Sequence, residues 1–281
     1  MALSMKDQAQ EIEDLEISLL LEGIFRHYGY DFRDYSLAHL RRRLRHRLEL
    51  AGLADLGAML HRVLSDRGFF ELLLRDLSIN VTEMFRDPTS YRRIREDVVP
   101  LLKTYPFVKI WHAGCATGEE VYSMAILLHE EGLLERCRLY ATDFNQVALK
   151  KAAAGIYPLE QARLYSANYQ KSGGRGSLSD YYQTDHENIL LKSWLRKRVV
   201  FADHNLVTDS VFSEVQLVVC RNVVIYFNRE LQERIFRTFL DSLCPGGLLW
   251  LGSKESLKLL KIADRFKELY PAEKIFKKRL Q

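Results

Sequence analysis

The densest chemistry in the 281-residue chain lies in Trp111-His112-Ala113-Gly114-Cys115-Ala116-Thr117-Gly118-Glu119-Glu120. Gly114 and Gly118 let a backbone loop approach a ligand closely, where a residue with a Cβ would hold it off. Asp143 follows at the end of the next apolar run. An acidic side chain about 20 residues beyond a glycine loop accepts hydrogen bonds from both hydroxyls of a ribose; the alternative is a helix N-cap. The spacing departs from G-x-G-x-x-G, and Glu119 and Glu120 stand where a dinucleotide would place its pyrophosphate. Carboxylates there repel phosphate and favour a helix N-terminus in their own right. A nucleoside with a positive centre and no phosphate fits better, and S-adenosylmethionine, with its sulfonium and ammonium groups, is such a ligand.

The elements that must position these residues follow from the periodicity. Val108-Lys109-Ile110-Trp111 reads as a strand ending at Gly114, followed by a helix over Glu119–Gly132. A strand over Arg138–Asp143 and a helix over Gln146–Ala154 come next. Later strands are expected at Arg198–Phe201, Gln216–Cys220 and Gly247–Leu251, with a helix at Arg229–Leu243 before the last. Leu257–Leu269 has helical spacing, and Glu273–Lys278 reads as an edge strand. Alternating strands and helices indicate an α/β fold with a mainly parallel sheet covered on both faces. The glycine loop then lies at the carboxyl end of a strand, where such sheets bind ligands. Residues 1–100 differ: Leu15, Leu19 and Ile24, then Leu37, Leu40, Leu44 and Leu48, recur at helix spacing, so a small helical bundle is expected. Residues 166–197, with Ser172-Gly173-Gly174-Arg175-Gly176-Ser177, interrupt the alternation as an excursion between strands.

Composition narrows the class without naming a chemistry. The 41 Lys and Arg against 37 Asp and Glu give no global reason to expect a nucleic-acid binder. Cys115, Cys137, Cys220 and Cys244 form no C-x-x-C pair, so neither a zinc site nor a thioredoxin-like motif is supported, and no metal is expected. The first residues are acidic and carry no continuous apolar region, and no run reaches the ~18 residues that span a bilayer. The expectation is a soluble, cytoplasmic protein with reduced cysteines and no membrane insertion.

Several motifs in order make the chain resemble the CheR-type chemotaxis receptor methyltransferases. They are Ser78-Ile79-Asn80-Val81-Thr82-Glu83-Met84-Phe85-Arg86, Trp111–Glu120 continuing into Val121-Tyr122-Ser123, Ala141-Thr142-Asp143, Gly155-Ile156-Tyr157, and Cys220-Arg221-Asn222-Val223-Val224-Ile225-Tyr226-Phe227. The resemblance implies a class I S-adenosylmethionine-dependent methyltransferase, Rossmann-like, with an N-terminal helical domain and an inserted small subdomain. It implies methylation of glutamate side chains on chemoreceptor cytoplasmic helices. Asn80, Thr82, Arg86, Glu120, Asp143, Asn205, Leu206, Arg221 and Asn222 match positions that contact the cofactor, alongside Gly114 of the loop. Arg86 and Tyr226 match side chains near the transferred methyl. Enterobacterial members carry a three-stranded subdomain that docks a receptor C-terminal pentapeptide. The glycine-rich excursion at 166–197 lacks a clear match to the docking segment, so pentapeptide binding is not carried over.

Guanidinium matches a carboxylate bidentately, so Arg86 suits orientation of a substrate carboxylate rather than rate acceleration alone. Tyr226 either lines the methyl site or packs in a core. Asn205 and Asn222 either read polar edges of the ligand or shape turns. Leu40-Arg41-Arg42-Arg43-Leu44-Arg45-His46-Arg47-Leu48 is a basic amphipathic helix. Arg41 and Arg45 on it are expected to meet an acidic helical substrate, the receptor bundle, in preference to nucleic-acid phosphates, because the residues before it are acidic. The reading divides the chain into a helical substrate-recognition domain with linker, 1–106, and a methyltransferase domain, 107–281, with the insertion at 166–197. RNA or small-molecule methylation, or a non-catalytic cofactor-binding adaptor, remain the alternatives.

Overall fold

The computed structural model describes residues 5–77 and 82–280, which divide into two compact units. The first comprises Met1–Ile79 and Tyr226–Gln232, the second Asn80–Ile225 and Glu233–Gln281.

The first unit is built from helices Met5–Tyr28, Leu37–Ala51, Leu56–Ser65 and Arg67–Leu77. Asp55 caps the third through its carboxylate, which accepts from Ala58 N at 2.7 Å. Gly52, at φ +62°, ends the second in the left-handed conformation that glycine adopts freely. Ile17, Leu20, Leu21 and Ile24 of the first helix are buried with Leu40, Leu44, Met59, Val63, Phe70 and Leu73. The expected stripe through Leu15 and Leu19 is thus displaced: these two are 61% and 53% exposed, and only Ile24 of that set is buried. Leucine and isoleucine occupy two faces of this helix, so spacing alone does not say which face turns inward. The segment Tyr226–Gln232 completes the unit. Tyr35 and Phe227 form an antiparallel bridge, Ser36 N donates to Tyr226 O at 2.8 Å, and Asn228 N donates to Asp34 O at 2.8 Å.

The second unit carries a seven-stranded sheet. Its strands are β1 (Val108–Ala113), β2 (Cys137–Asp143), β6 (Val199–Asp203), β7 (Val215–Cys220), β8 (Leu243–Leu251), β9 (Phe266–Tyr270) and β10 (Ile275–Lys278). The order is β6-β2-β1-β7-β8-β10-β9. The first five are parallel; β10 alone is reversed, pairing antiparallel with β8 on one side and with β9 on the other. The α/β architecture expected from the alternation is therefore present, with boundaries shifted by a residue or two, except that β8 starts four residues early. The helical reading of Leu257–Leu269 is wrong: a short 3-10 turn, Lys261–Arg265, leads into β9. Leu257, Leu260, Ile262 and Phe266 are all buried. Their spacing imitates a helix, while Phe266–Tyr270 supplies the ladder that β10 needs on its outer side.

Helical residues Pro88–Arg93, Ile94–Val98 and Val99–Leu102 precede β1 and bury Ile94, Val98, Val99 and Leu102 in the same core as the sheet. That packing places the division between units at Ile79 and Asn80 rather than at 106/107. The sequence signal at 106 marks the first strand, not the first residue of the core it belongs to.

The excursion also starts before residue 166. β3 (Ile156–Pro158), β4 (Tyr182–Thr184) and β5 (Asn188–Leu191) form a separate antiparallel sheet in the order β3-β5-β4. The glycine-rich stretch wraps around Tyr169. A Cβ on Gly174 would lie 2.3 Å from its ring, so no side chain fits there. Glu130, at the end of the helix after the glycine loop, accepts from Arg95 at 2.7 Å and Tyr181 OH at 3.0 Å, and also from Tyr169 OH. Arg175 pairs with Glu131 at 2.8 Å. The glycines are therefore a clamp on the end of that helix.

Candidate functional site

The glycine loop leaves β1 and enters the helix Glu119–Glu130. Gly114 N and Cys115 N donate to Thr142 O at 2.8 and 2.9 Å, stitching the loop to the end of β2. Gly114 has φ +76°, and a Cβ would lie 2.6 Å from Val223; Gly118 has φ +90°, and a Cβ would lie 2.9 Å from that of Ala152. Both glycines are required by backbone conformation and by close packing together.

Asp143, 6% exposed, accepts from Ala116 N and Asn145 N, both at 2.9 Å. The helix N-cap itself is Asn145, whose side chain accepts from Val147 N and Ala148 N. The capping alternative for Asp143 is thus taken by its neighbour. The Phe144 amide is a third backbone partner, and with roughly four lone-pair sites on a carboxylate this leaves capacity for a ribose hydroxyl. Burial raises the Asp143 carboxyl, against the pull of the Asn145 and Ala116 amides.

Glu120 and Arg221 form the second feature. Arg221 has a side chain only 1% exposed. Its guanidinium donates to Glu120 at 2.9 Å, Asp87 at 2.7 Å and Arg86 O at 3.1 Å, and lies over the Trp250 ring at 4.4 Å. His112 Nδ1 is 3.3 Å from the other Glu120 oxygen. Burial pushes the Glu120 carboxyl up, but His112 and Arg221 outweigh it and hold it below the ordinary glutamate value. Arg221 thus ties the start of the helix to the segment around Arg86. Arg86 and Thr82 are half-buried on that segment, and Asn80 lies outside the described residues.

Phe85, Asp87, Ala116 and Asn222 adopt φ between +48° and +61°, and among described non-glycine residues only Lys274 joins them. Left-handed backbone costs an L residue roughly 1–2 kcal/mol, and strain of this kind collects at functional sites. Here it falls on three of the segments the motifs singled out.

Asn222 is held by a residue that sequence reasoning missed. Glu255, 2% exposed, accepts from Val223 N at 2.9 Å and Val224 N at 3.0 Å, and also from Gly252 N. No motif announces it, because its partners are backbone amides beyond β7 and β8. Asn205 follows β6, and its side-chain oxygen accepts from Val207 N at 3.0 Å, an Asx turn; Leu206 beside it is half-buried. Tyr226 falls in the helical unit, where its ring meets His39 edge-on at 5.1 Å. Arg41 and Arg45 are also there, engaged by the chain's own acids: Arg45 meets Glu13 bidentately at 2.8 and 2.9 Å, and Arg41 pairs with Glu13 at 3.1 Å and with Asp14.

The residues of the second unit fit S-adenosylmethionine. Asp143 offers acceptor capacity for a ribose hydroxyl, Glu120 offers negative charge for a cationic ligand, and the helix start carries two carboxylates where a phosphate would need cations.

Comparison with known proteins agrees. Residues 80–274 match the CheR methyltransferase S-adenosylmethionine-binding domain, and residues 15–78 match the CheR methyltransferase all-alpha domain. Cher3 of Pseudomonas putida, which carries a methyltransferase name, is 52% identical over 94% of this chain and 97% of its own length. The chemotaxis protein methyltransferase of Escherichia coli is 29% identical over 89% of this chain and 87% of its own. Among solved structures, the N-methyltransferase NodS of Bradyrhizobium japonicum, in complex with S-adenosyl-L-homocysteine, is a distant likeness at 15% identity and TM-score 0.38, covering 70% of this chain and 91% of that one. With both of its family domains matched in order, the chain belongs to the CheR family of S-adenosylmethionine-dependent methyltransferases.

Proposed function

We propose that the protein methylates glutamate side chains on the cytoplasmic helices of a chemoreceptor, yielding glutamyl methyl esters and S-adenosyl-L-homocysteine. Relatives named chemotaxis protein methyltransferase support the process. The observation that carries the substrate is the basic helix Leu37–Ala51, whose Arg41 and Arg45 already hold carboxylates presented by another helix. A Glu-rich receptor helix offers the same chemistry, and exposed Arg42 adds a cation beside them. The substrate is a protein and not a nucleic acid, and the work is cytoplasmic; no described helix is long and apolar enough to cross a membrane.

When bound, the cofactor supplies an electrophilic methyl on a sulfonium sulfur, which leaves as a neutral thioether. A glutamate with a pKa of about 4.3 is already ionised at neutral pH, so the protein needs no strong general base. Its work is positioning, which gains on the order of 7–11 kcal/mol from effective concentration. Asp143 holds the ribose, and Glu120 faces the cationic end. Gly114, Thr82, Asn80, Asn205, Leu206 and Asn222 complete the cofactor contacts. Arg221 acts chiefly through Glu120 and the backbone of Arg86. Arg86 orients the substrate carboxylate, and Tyr226 lines the methyl path.

The test is transfer of tritiated methyl groups to receptor cytoplasmic fragments and, separately, to total RNA. Base-labile label on protein is the expected result. Label in RNA would overturn the substrate, and cofactor binding with no transfer to either would make the chain an adaptor.

A further inference from the structure

The motif Gly155-Ile156-Tyr157 has no part in the chemistry so far. Gly155 ends the helix Gln146–Ala154 at φ +62°, and a Cβ there would lie 2.7 Å from Arg196. The chain then enters β3, where Tyr157 pairs with Ile189 of β5. Tyr157 is 3% exposed, and its hydroxyl donates to Thr117 O in the cofactor loop at 2.8 Å. The next N–H, that of Gly118, donates to Cys115 O at 3.0 Å. The Thr117–Gly118 peptide is therefore pinned at both ends, its carbonyl from the small sheet and its amide from within the loop. Thr117 is held a third time by its hydroxyl, which donates to Glu119 at 2.7 Å. A Cβ on Gly118 would also come within 3.3 Å of the Tyr157 hydroxyl, so the tyrosine sits directly under the residue that opens the helix.

We propose that Tyr157 is a positioning residue for the cofactor. Its hydroxyl fixes the orientation of the Thr117–Gly118 peptide, and through β3 it joins the three-stranded sheet to the cofactor loop. Burial, with Glu119 nearby, keeps the phenol protonated, so the donor is present throughout the working pH range. The proposal rests on the loop being the cofactor site.

A control lies in the same aromatic cluster. Tyr122 is equally buried, meets the Tyr157 ring edge-on at 6.5 Å, and donates its hydroxyl to a backbone carbonyl, Ala152 O, at 2.8 Å. That carbonyl belongs to the helix Gln146–Ala154 and not to the loop. Tyr157→Phe and Tyr122→Phe each remove one neutral hydrogen bond and keep the ring. The full chain is titrated with S-adenosyl-L-homocysteine by calorimetry, and each variant's melting temperature is recorded. Tyr157→Phe is expected to weaken binding roughly three- to tenfold, the worth of one such bond, with Tyr122→Phe binding as the wild type at a comparable melting temperature. Unchanged affinity in Tyr157→Phe, or equal weakening in both variants, overturns the proposal. Failure of the wild type to bind is a separate outcome, which removes the cofactor site itself.

Discussion

Replacing Arg221 with methionine separates a structural ion from a ligand contact. The side chain is 1% exposed and satisfies Glu120, Asp87 and Arg86 O together. Removing one partner of a buried ion pair costs about 3–5 kcal/mol, because it leaves the other charge uncompensated. Asp87 is 39% exposed and recovers water readily, so the penalty falls chiefly on Glu120, at 17%. We therefore expect the lower end, about 3 kcal/mol at pH 7, or roughly 6–12 °C in the melting temperature of the sheet unit. The pH dependence identifies the cause. In the wild type Glu120 lies below its ordinary value of 4.5, so its contribution is present above that value and is lost as pH falls through the folded one. Without Arg221, burial acts on Glu120 with only His112 opposing it, its carboxyl rises, and protonation relieves the variant. The gap between Arg221→Met and wild type should therefore narrow between pH 7 and pH 5, read by urea unfolding at each pH. A loss under about 1 kcal/mol at pH 7, or a gap that does not change with pH, would refute the ion-pair reasoning.

Asp143→Ala should abolish most cofactor affinity in a calorimetric titration and also cost about 1.5–3 kcal/mol of stability, since Asp143 anchors Ala116 N and Asn145 N; intact binding would remove it from the ribose. Glu119, 5% exposed beside Thr117, has its carboxyl raised by burial to about 7. The folded state then keeps a proton that the unfolded state has released above about 4.5, so this group's share of stability falls as pH rises from there through about 7. Glu119→Gln should flatten urea midpoints over that window, and parallel profiles for the two proteins would count against it. Gly174→Ala should lower the melting temperature by several degrees, because the new methyl meets the rigid Tyr169 ring; no change would mean the clamp yields easily.

The sheet was legible because each parallel strand is a short apolar run bounded by turn residues, and that pattern survives without knowing its neighbours. The placement of the glycine loop and of Asp143 at the ends of β1 and β2 was legible for a related reason: both belong to one β-α-β step. What escaped depends on partners far away in sequence. The buried face of the first helix is chosen by the other three helices, so Leu15 and Leu19 carried no sign of their exposure. The pairing of Arg41 and Arg45 with Glu13 and Asp14 went unseen because those acids lie a helix away. β9 hid behind helical spacing, since a strand at the edge is recognised by the β10 ladder and not by its own residues. Glu255 serves backbone amides, which leave no trace in side-chain patterns.

The helical unit is completed by Tyr226–Gln232, about 150 residues after its last contiguous helix. On the ribosome, at ~5–20 residues per second, that gap is on the order of ten seconds or more. Throughout that interval Tyr35, Ser36 and Asp34 await Phe227, Tyr226 and Asn228, their bridge and hydrogen-bond partners. The first unit to be synthesised is thus among the last to be finished, and a fragment ending at residue 79 would lack one of its own pieces.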